Sequence, residues 1–339
     1  MRAARLHEYG KPFQIEDVPD PEPGPGEVLV RIGGAGVCHS DLHIAHGEVP
    51  GVLDGPTILG HENAGWVEAL GPGATGFEPG EAVIVYGGWG CGMCRVCMSG
   101  EEQLCDTMRW GGLGPPGGYA ERYVVPSPRH LIRIGDLDPA DVAPLTDAGL
   151  TPYRAVKKVA GRLVGGDAAL VIGAGGLGQM AIQFLGLLTP ARIVVADVSQ
   201  DKRQAALDLG ADAVVDPAAP DAAQALQDAT GGQGAAAVID LVGSDASLAF
   251  AAASLGFKGH LVVVGLAGGT APFSFFTWPP ESVLTGSNWG TRTELEEVVA
   301  LALHDKLTLQ VERAPLEAIN DVLARLEAGQ VAGRAVLVP

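Results

Sequence analysis

Positive charge is scarce in this chain of 339 residues: 22 lysines and arginines stand against 40 aspartates and glutamates, a formal charge of −18 at pH 7. Such an acidic balance argues against nucleic acid or an anionic membrane as partner and reads as a solvated surface. Long apolar runs are missing too. No uninterrupted stretch reaches the roughly 20 residues that span a bilayer. The start, Met1-Arg2-Ala3-Ala4-Arg5-Leu6-His7-Glu8, lacks the apolar run of a signal peptide, so a cytoplasmic protein is expected. There are only five cysteines, four of them in one loop from Cys91 to Cys105. An odd, clustered set favours metal binding over a secreted disulfide framework. Internal repeats are lacking as well.

What is present is apolar content of 47%, enough for two cores, and a length that exceeds what one core usually serves. Up to about Arg133 the chain reads as short strands broken by glycine and proline, among them Val28–Ile32, Gly65–Leu70, Ala82–Val85 and Tyr123–Val125. Near Asp147 the texture changes. Thr151-Pro152-Tyr153 opens a helical pattern, and apolar strands then alternate with helices: Ala169–Ile172, Arg192–Asp197, Ala213–Val215, Ala237–Asp240, His260–Val264 and Ser282–Thr285 are the strands. That rhythm indicates a parallel sheet covered on both faces, of the doubly wound dinucleotide type. The fold class is therefore α/β, with a mainly-β domain over 1–148 and a doubly wound domain over 149–286. The segment 287–339, with one helix near Leu316–Glu327 and a strand Ala335–Val338, is expected to return to the first domain.

Three motifs carry chemistry. Gly173-Ala174-Gly175-Gly176-Leu177-Gly178 follows a buried strand and opens a helix, an arrangement that lets backbone and helix N-terminus approach a pyrophosphate. Asp197, 19 residues past Gly178 at the end of the next strand, can accept from ribose hydroxyls and repel a 2′-phosphate, which favours NAD over NADP. Lys202 and Arg203 lie close by and soften that preference. Second, Cys91, Cys94, Cys97 and Cys105 have the short spacings of a closed, structural zinc site; a redox CxxC pair is the rival reading. Third, Gly36-Val37-Cys38-His39-Ser40-Asp41-Leu42-His43 and Gly60-His61-Glu62 gather a cysteine, two carboxylates and three histidines, costly to bury unless something binds to them.

In that order these motifs resemble the zinc-dependent alcohol dehydrogenases of the medium-chain dehydrogenase/reductase superfamily over essentially the whole chain. The stretch from Pro144 to Tyr153 resembles a bacterial branch that handles secondary alcohols. The resemblance implies a GroES-like catalytic domain, a Rossmann domain, NAD, and two zinc ions per subunit. It puts a catalytic zinc on Cys38, His61 and Asp147, with a carboxylate where sulfur is more familiar; an N-cap near Thr151 is the alternative for Asp147. Asp41 would accept from the second ring nitrogen of His61, and Glu62 would lie behind the metal. Ser40 would take the substrate's hydroxyl proton and pass it, through the cofactor ribose, to His43. His39 would line either the cofactor phosphates or the pocket. Thr151 and Val264 are implied near the nicotinamide, Arg334 at the pyrophosphate, and Trp110, Leu113 and Trp289 around an apolar substrate pocket. The expected activity is interconversion of alcohols, secondary, aryl or medium-chain, with ketones or aldehydes, in a homotetramer paired through Val283–Gly286. A polyol or amino-alcohol dehydrogenase, and a zinc- and NAD-binding redox sensor, are the competing readings.

Overall fold

In a computed structural model, which describes residues 1–49, 51–53 and 55–339, the chain divides into two compact units, Met1–Leu150 with Gly290–Pro339, and Thr151–Trp289. No helix among the described residues is long and apolar enough to cross a membrane.

The first unit is built on a seven-stranded sheet. Leu131–Arg133, Ala82–Val85, Glu62–Leu70, Val28–Val37, Arg334–Val338 and Val311–Pro315 follow one another across it, and Arg122–Val125 also pairs with Val28–Val37. Val28, Val30, Ile32, Val67, Val83, Leu131 and Leu337 form its core. The central strand runs on to Val37, past the glycines that suggested a break at Ile32. Those glycines mark close approach instead of a turn. A Cβ at Gly33 would come 2.6 Å from the Trp66 ring, and one at Gly34 equally close to the Ala140 backbone.

Two elements of the last fifty residues escape the sequence reading, which held a single helix there. Arg292–Leu303 is a helix opened by a capping box, Thr291 accepting from the Glu294 amide and Glu294 from the Thr291 amide. Val311–Pro315 is a strand lying parallel to Arg334–Val338. Its proline and charged residues hid it, and both are tolerated because it sits at the sheet edge. The expected helix near 316–327 is a 3-10 turn, Leu316–Ala318, followed by an α-helix, Ile319–Glu327.

The second unit is a six-stranded parallel sheet. Numbered by sequence, its strands Ala168–Ile172, Arg192–Ala196, Ala213–Val215, Ala235–Asp240, Leu255–Val263 and Val283–Gly286 lie in the order 3-2-1-4-5-6. This is the doubly wound dinucleotide topology. The first strand is buried along its whole length, which explains its unbroken apolar run. The helix Gly176–Leu188 follows it and buries Met180, Ala181, Ile182, Phe184 and Leu185.

Candidate metal and cofactor sites

Antiparallel register assembles the first site. Gly36 pairs with Glu62 and Val37 with Ala335, so the end of one strand and the starts of its two neighbours meet at one edge of the sheet. Cys38, His61, Glu62 and Arg334 all stand at that edge. Gly36 is obligatory there, because a Cβ would fall 1.9 Å from Glu62 Oε2. Asp147 arrives from the 3-10 turn Ala143–Thr146, and the amide next to it, Ala148, donates to Glu62 Oε1 at 3.2 Å.

The side chains converge. Cys38 Sγ is 3.4 Å and His61 Nε2 3.7 Å from Asp147 Oδ2. Ligands around one tetrahedral zinc lie about 3.3–3.7 Å apart, so the spacing of this sulfur, nitrogen and oxygen set fits that ion. Glu62 contributes an oxygen within 4.8 Å of the others. Both its oxygens are engaged by the Arg334 guanidinium, Nε donating to them at 3.1 and 3.0 Å and Nη2 to Oε1; Nη2 also reaches Asp147 Oδ2 at 3.3 Å. Asp41 Oδ1 lies 3.4 Å from His61 Nδ1. It belongs to the short helix His39–Ala45, and its Oδ2 accepts the Cys38 amide at 2.9 Å.

Electrostatically the cluster is short of positive charge. Asp41 and Glu62 are fully buried, and the Arg334 guanidinium serves Glu62 and Asp147. Burial pushes the Glu62 carboxyl up to about 7 even against Arg334. Desolvation lowers the His61 pKa, yet Asp41, then Asp147, outweigh it and carry the imidazole well above its ordinary value. A divalent cation at this point relieves both strains.

The second cluster is the cysteine loop. Cys91 Sγ is 3.9 Å from Cys97 Sγ, and Cys94 Sγ 3.8 Å from Cys105 Sγ. Four thiolates on one tetrahedral zinc are about 3.8 Å apart. All five cysteines are free of disulfides.

In the second unit the glycine motif makes the tight turn. Gly173 takes φ +92°, and a Cβ on Gly178 would lie 2.0 Å from Gly173 O. Gly175 caps the helix that begins at Gly176 and carries Leu177. Asp197 accepts from the Ala174 amide at 2.8 Å and from the Ser199 amide at 2.9 Å, which fixes its carboxylate against the glycine turn. Lys202 lies in the first turn of the next helix, Gln200–Asp208, where its amide meets the Ser199 hydroxyl. Arg203 donates to the Asp197 carbonyl at 2.6 Å and pairs with Asp216. Thr151 and Val264 are buried.

The other expected residues divide between this cluster and places away from it. Ser40 Oγ is 3.7 Å from Cys38 Sγ. His43 is one-third exposed, with Nδ1 against Glu48, and His39 is exposed. Arg334, expected at a pyrophosphate, is buried and pairs with Glu62 and Asp147. Trp110 and Leu113 share a turn, the Leu113 amide meeting the Trp110 carbonyl at 2.9 Å. Trp289, in the other unit, is buried with φ +44°, a strained conformation for so bulky a residue. The sequence reading missed Tyr119, whose hydroxyl donates to Asp41 Oδ2 at 2.7 Å. Gly117-Gly118 before it was the sequence's one hint; the crowding that requires Gly118, where a Cβ would meet Asn63 Oδ1 at 1.7 Å, appears only in the fold.

A sulfur, nitrogen and carboxylate cluster on a β unit and a glycine-fingerprinted parallel sheet in the same chain define a metal-dependent, dinucleotide-linked oxidoreductase. The family model described as "Alcohol dehydrogenase GroES-like domain" matches residues 24–136, and "Zinc-binding dehydrogenase" matches 176–304. The chain is 39% identical to an alcohol dehydrogenase of Geobacillus stearothermophilus over 99% of both chains. It is 38% identical to an NAD-dependent alcohol dehydrogenase of Sulfurisphaera tokodaii over 100% of both. The crystal structure of the alcohol dehydrogenase from Aeropyrum pernix superposes with a TM-score of 0.93 at 42% identity, covering 100% of each chain. The chain belongs to the zinc-dependent alcohol dehydrogenases of the medium-chain dehydrogenase/reductase superfamily. It is an NAD-dependent oxidoreductase that interconverts alcohols with ketones or aldehydes.

Proposed function

We propose that Cys38, His61 and Asp147 hold the catalytic zinc, that the four-cysteine loop holds a second, structural one, and that the substrates are secondary alcohols with apolar substituents. The observation that carries the ligand set is the Asp147 carboxylate, 3.4 Å from Cys38 Sγ and 3.7 Å from His61 Nε2, while Glu62 is occupied by Arg334. When bound, the zinc supplies Lewis acidity that makes a substrate hydroxyl easier to deprotonate, or a carbonyl easier to reduce. NAD, held at the Gly173–Gly178 turn and Asp197, would supply the hydride acceptor. Ser40, beside Cys38, accepts the hydroxyl proton at Oγ, and His43, whose ring reaches solvent, hands it on; Glu48 at Nδ1 orients that ring. Asp197 receives the adenosine ribose. Its carboxylate is already oriented by two amides, which supports discrimination against a 2′-phosphate.

The working form is a homotetramer in the cytoplasm. Self-association is supported by the edge strand Val283–Gly286, with Val283 and Leu284 exposed and no neighbour on its outer side among the described residues. Five thiols without a disulfide suit a reducing compartment.

Steady-state kinetics with primary, secondary and polyhydroxy alcohols, each with NAD and NADP, test the reading. The highest kcat/KM is expected for a secondary alcohol with NAD. Turnover confined to polyhydroxy alcohols, a preference for NADP, or no turnover with zinc loaded would each reject it.

A further inference from the structure

Tyr119 is wholly buried in the first unit and fixed from several sides. Its amide donates to Leu59 O at 2.9 Å, its carbonyl accepts from the Ala4 amide at 2.8 Å, and its ring meets Phe13 edge-on with centroids 6.2 Å apart. Gly60, the residue before His61, lies against that ring. A Cβ there would stand 2.6 Å from Tyr119 Cδ1, so glycine alone lets the phenol pass the backbone that carries His61. Beyond it the hydroxyl donates to Asp41 Oδ2 at 2.7 Å, with Gly36 O more distant at 3.3 Å. Burial, and then the charge of Asp41, hold the phenol well above its ordinary pKa, so it stays a donor.

Asp41 Oδ2 thus receives two donors, this hydroxyl and the Cys38 amide. A carboxylate held twice at one oxygen does not rotate freely, and its other oxygen remains 3.4 Å from His61 Nδ1. We infer that Tyr119 is a positioning residue of the metal site: its hydroxyl locks the Asp41 carboxylate in the orientation that sets the tautomer and angle of His61, leaving Nε2 to face Cys38 and Asp147. Hydrogen-bond partners behind a metal-bound histidine raise metal affinity by this route. The inference rests on the reading of Cys38, His61 and Asp147 as zinc ligands.

Tyr119→Phe removes one hydroxyl and keeps the ring that packs on Gly60 and Phe13. Zinc affinity is measured by chelator competition on the full chain for wild type, Tyr119→Phe, Asp41→Asn and the double variant, with the zinc of the four-cysteine loop as internal control. Tyr119→Phe is expected to weaken the site at Cys38 by about tenfold, the low end of what removal of such partners costs. The cysteine-loop zinc stays at its wild-type affinity. In the Asp41→Asn background the same substitution adds nothing further. Unchanged affinity, equal weakening of both zinc sites, or losses that multiply in the double variant would overturn the role of Tyr119. A wild-type chain that binds zinc only in the four-cysteine loop would overturn the ligand reading itself, and is seen before any variant is made.

Discussion

Asp147 is the residue on which the proposed site turns. A carboxylate keeps the negative charge of a thiolate but offers zinc a harder atom, and here the same oxygen faces both Cys38 and His61 while it also meets Arg334. Replacing it by alanine leaves two ligands and an open side to the site. Asp147→Ala should fall from two zinc ions per chain to one, and kcat/KM should fall on the order of a hundredfold. Metal analysis beside steady-state kinetics reads both, and a variant with full zinc and full activity would remove Asp147 from the coordination. Glu62 has a different place in this geometry: it is paired with Arg334 and accepts the Ala148 amide next to Asp147, which in the proposed site sets it behind the ligands.

At the scale of elements, the cluster at Cys38 is a product of strand register and the glycine motif of a single turn. That difference decides what could be read in advance. The glycine motif, its flanking strand and helix, and Asp197 are local, and each leaves a mark in consecutive residues. Gly178→Ala tests that turn: with only 2.0 Å between the new Cβ and Gly173 O, helix and strand must separate. Overpacking of this kind costs about 1–3 kcal/mol, so KM for NAD should rise about tenfold or more, with zinc content unchanged. An unaltered KM would mean that the turn does not shape the cofactor site. The edge where Cys38, Glu62 and Arg334 meet was less legible. Cysteine and histidine advertise metal chemistry by type, whereas Arg334 and Tyr119 are ordinary residues until the register Val37 to Ala335 and the turn at Gly60 bring them in. Gly33, Gly34 and Gly36 misled for a related reason. In an isolated sequence they look like breakers, but their missing side chains make room for Trp66, Ala140 and Glu62. The helix Arg292–Leu303 did carry a readable start in Thr291 and Glu294.

For the molecule as a whole, the second unit leaves much apolar surface uncovered. Phe273, Phe275 and Phe276 are 71–92% exposed, and Leu284 on the edge strand is 46% exposed. So much exposed aromatic surface in one segment is a mark of an association face. Leu284→Asp, alone or with Phe276→Asp, should shift the sedimentation of the protein from the proposed tetramer to smaller species; a double variant that sediments as wild type would place the contact elsewhere. The last strand, Arg334–Val338, has a consequence of another kind. It fills the gap between Val28–Val37 and Val311–Pro315, and it brings Arg334 to Glu62. On the ribosome, the parallel-sheet unit is complete before this strand has been translated, and it can fold first. The β unit must wait for this inner strand, so the proposed zinc site at Cys38 is complete only once Arg334–Val338 has been made and has paired with Val28–Val37.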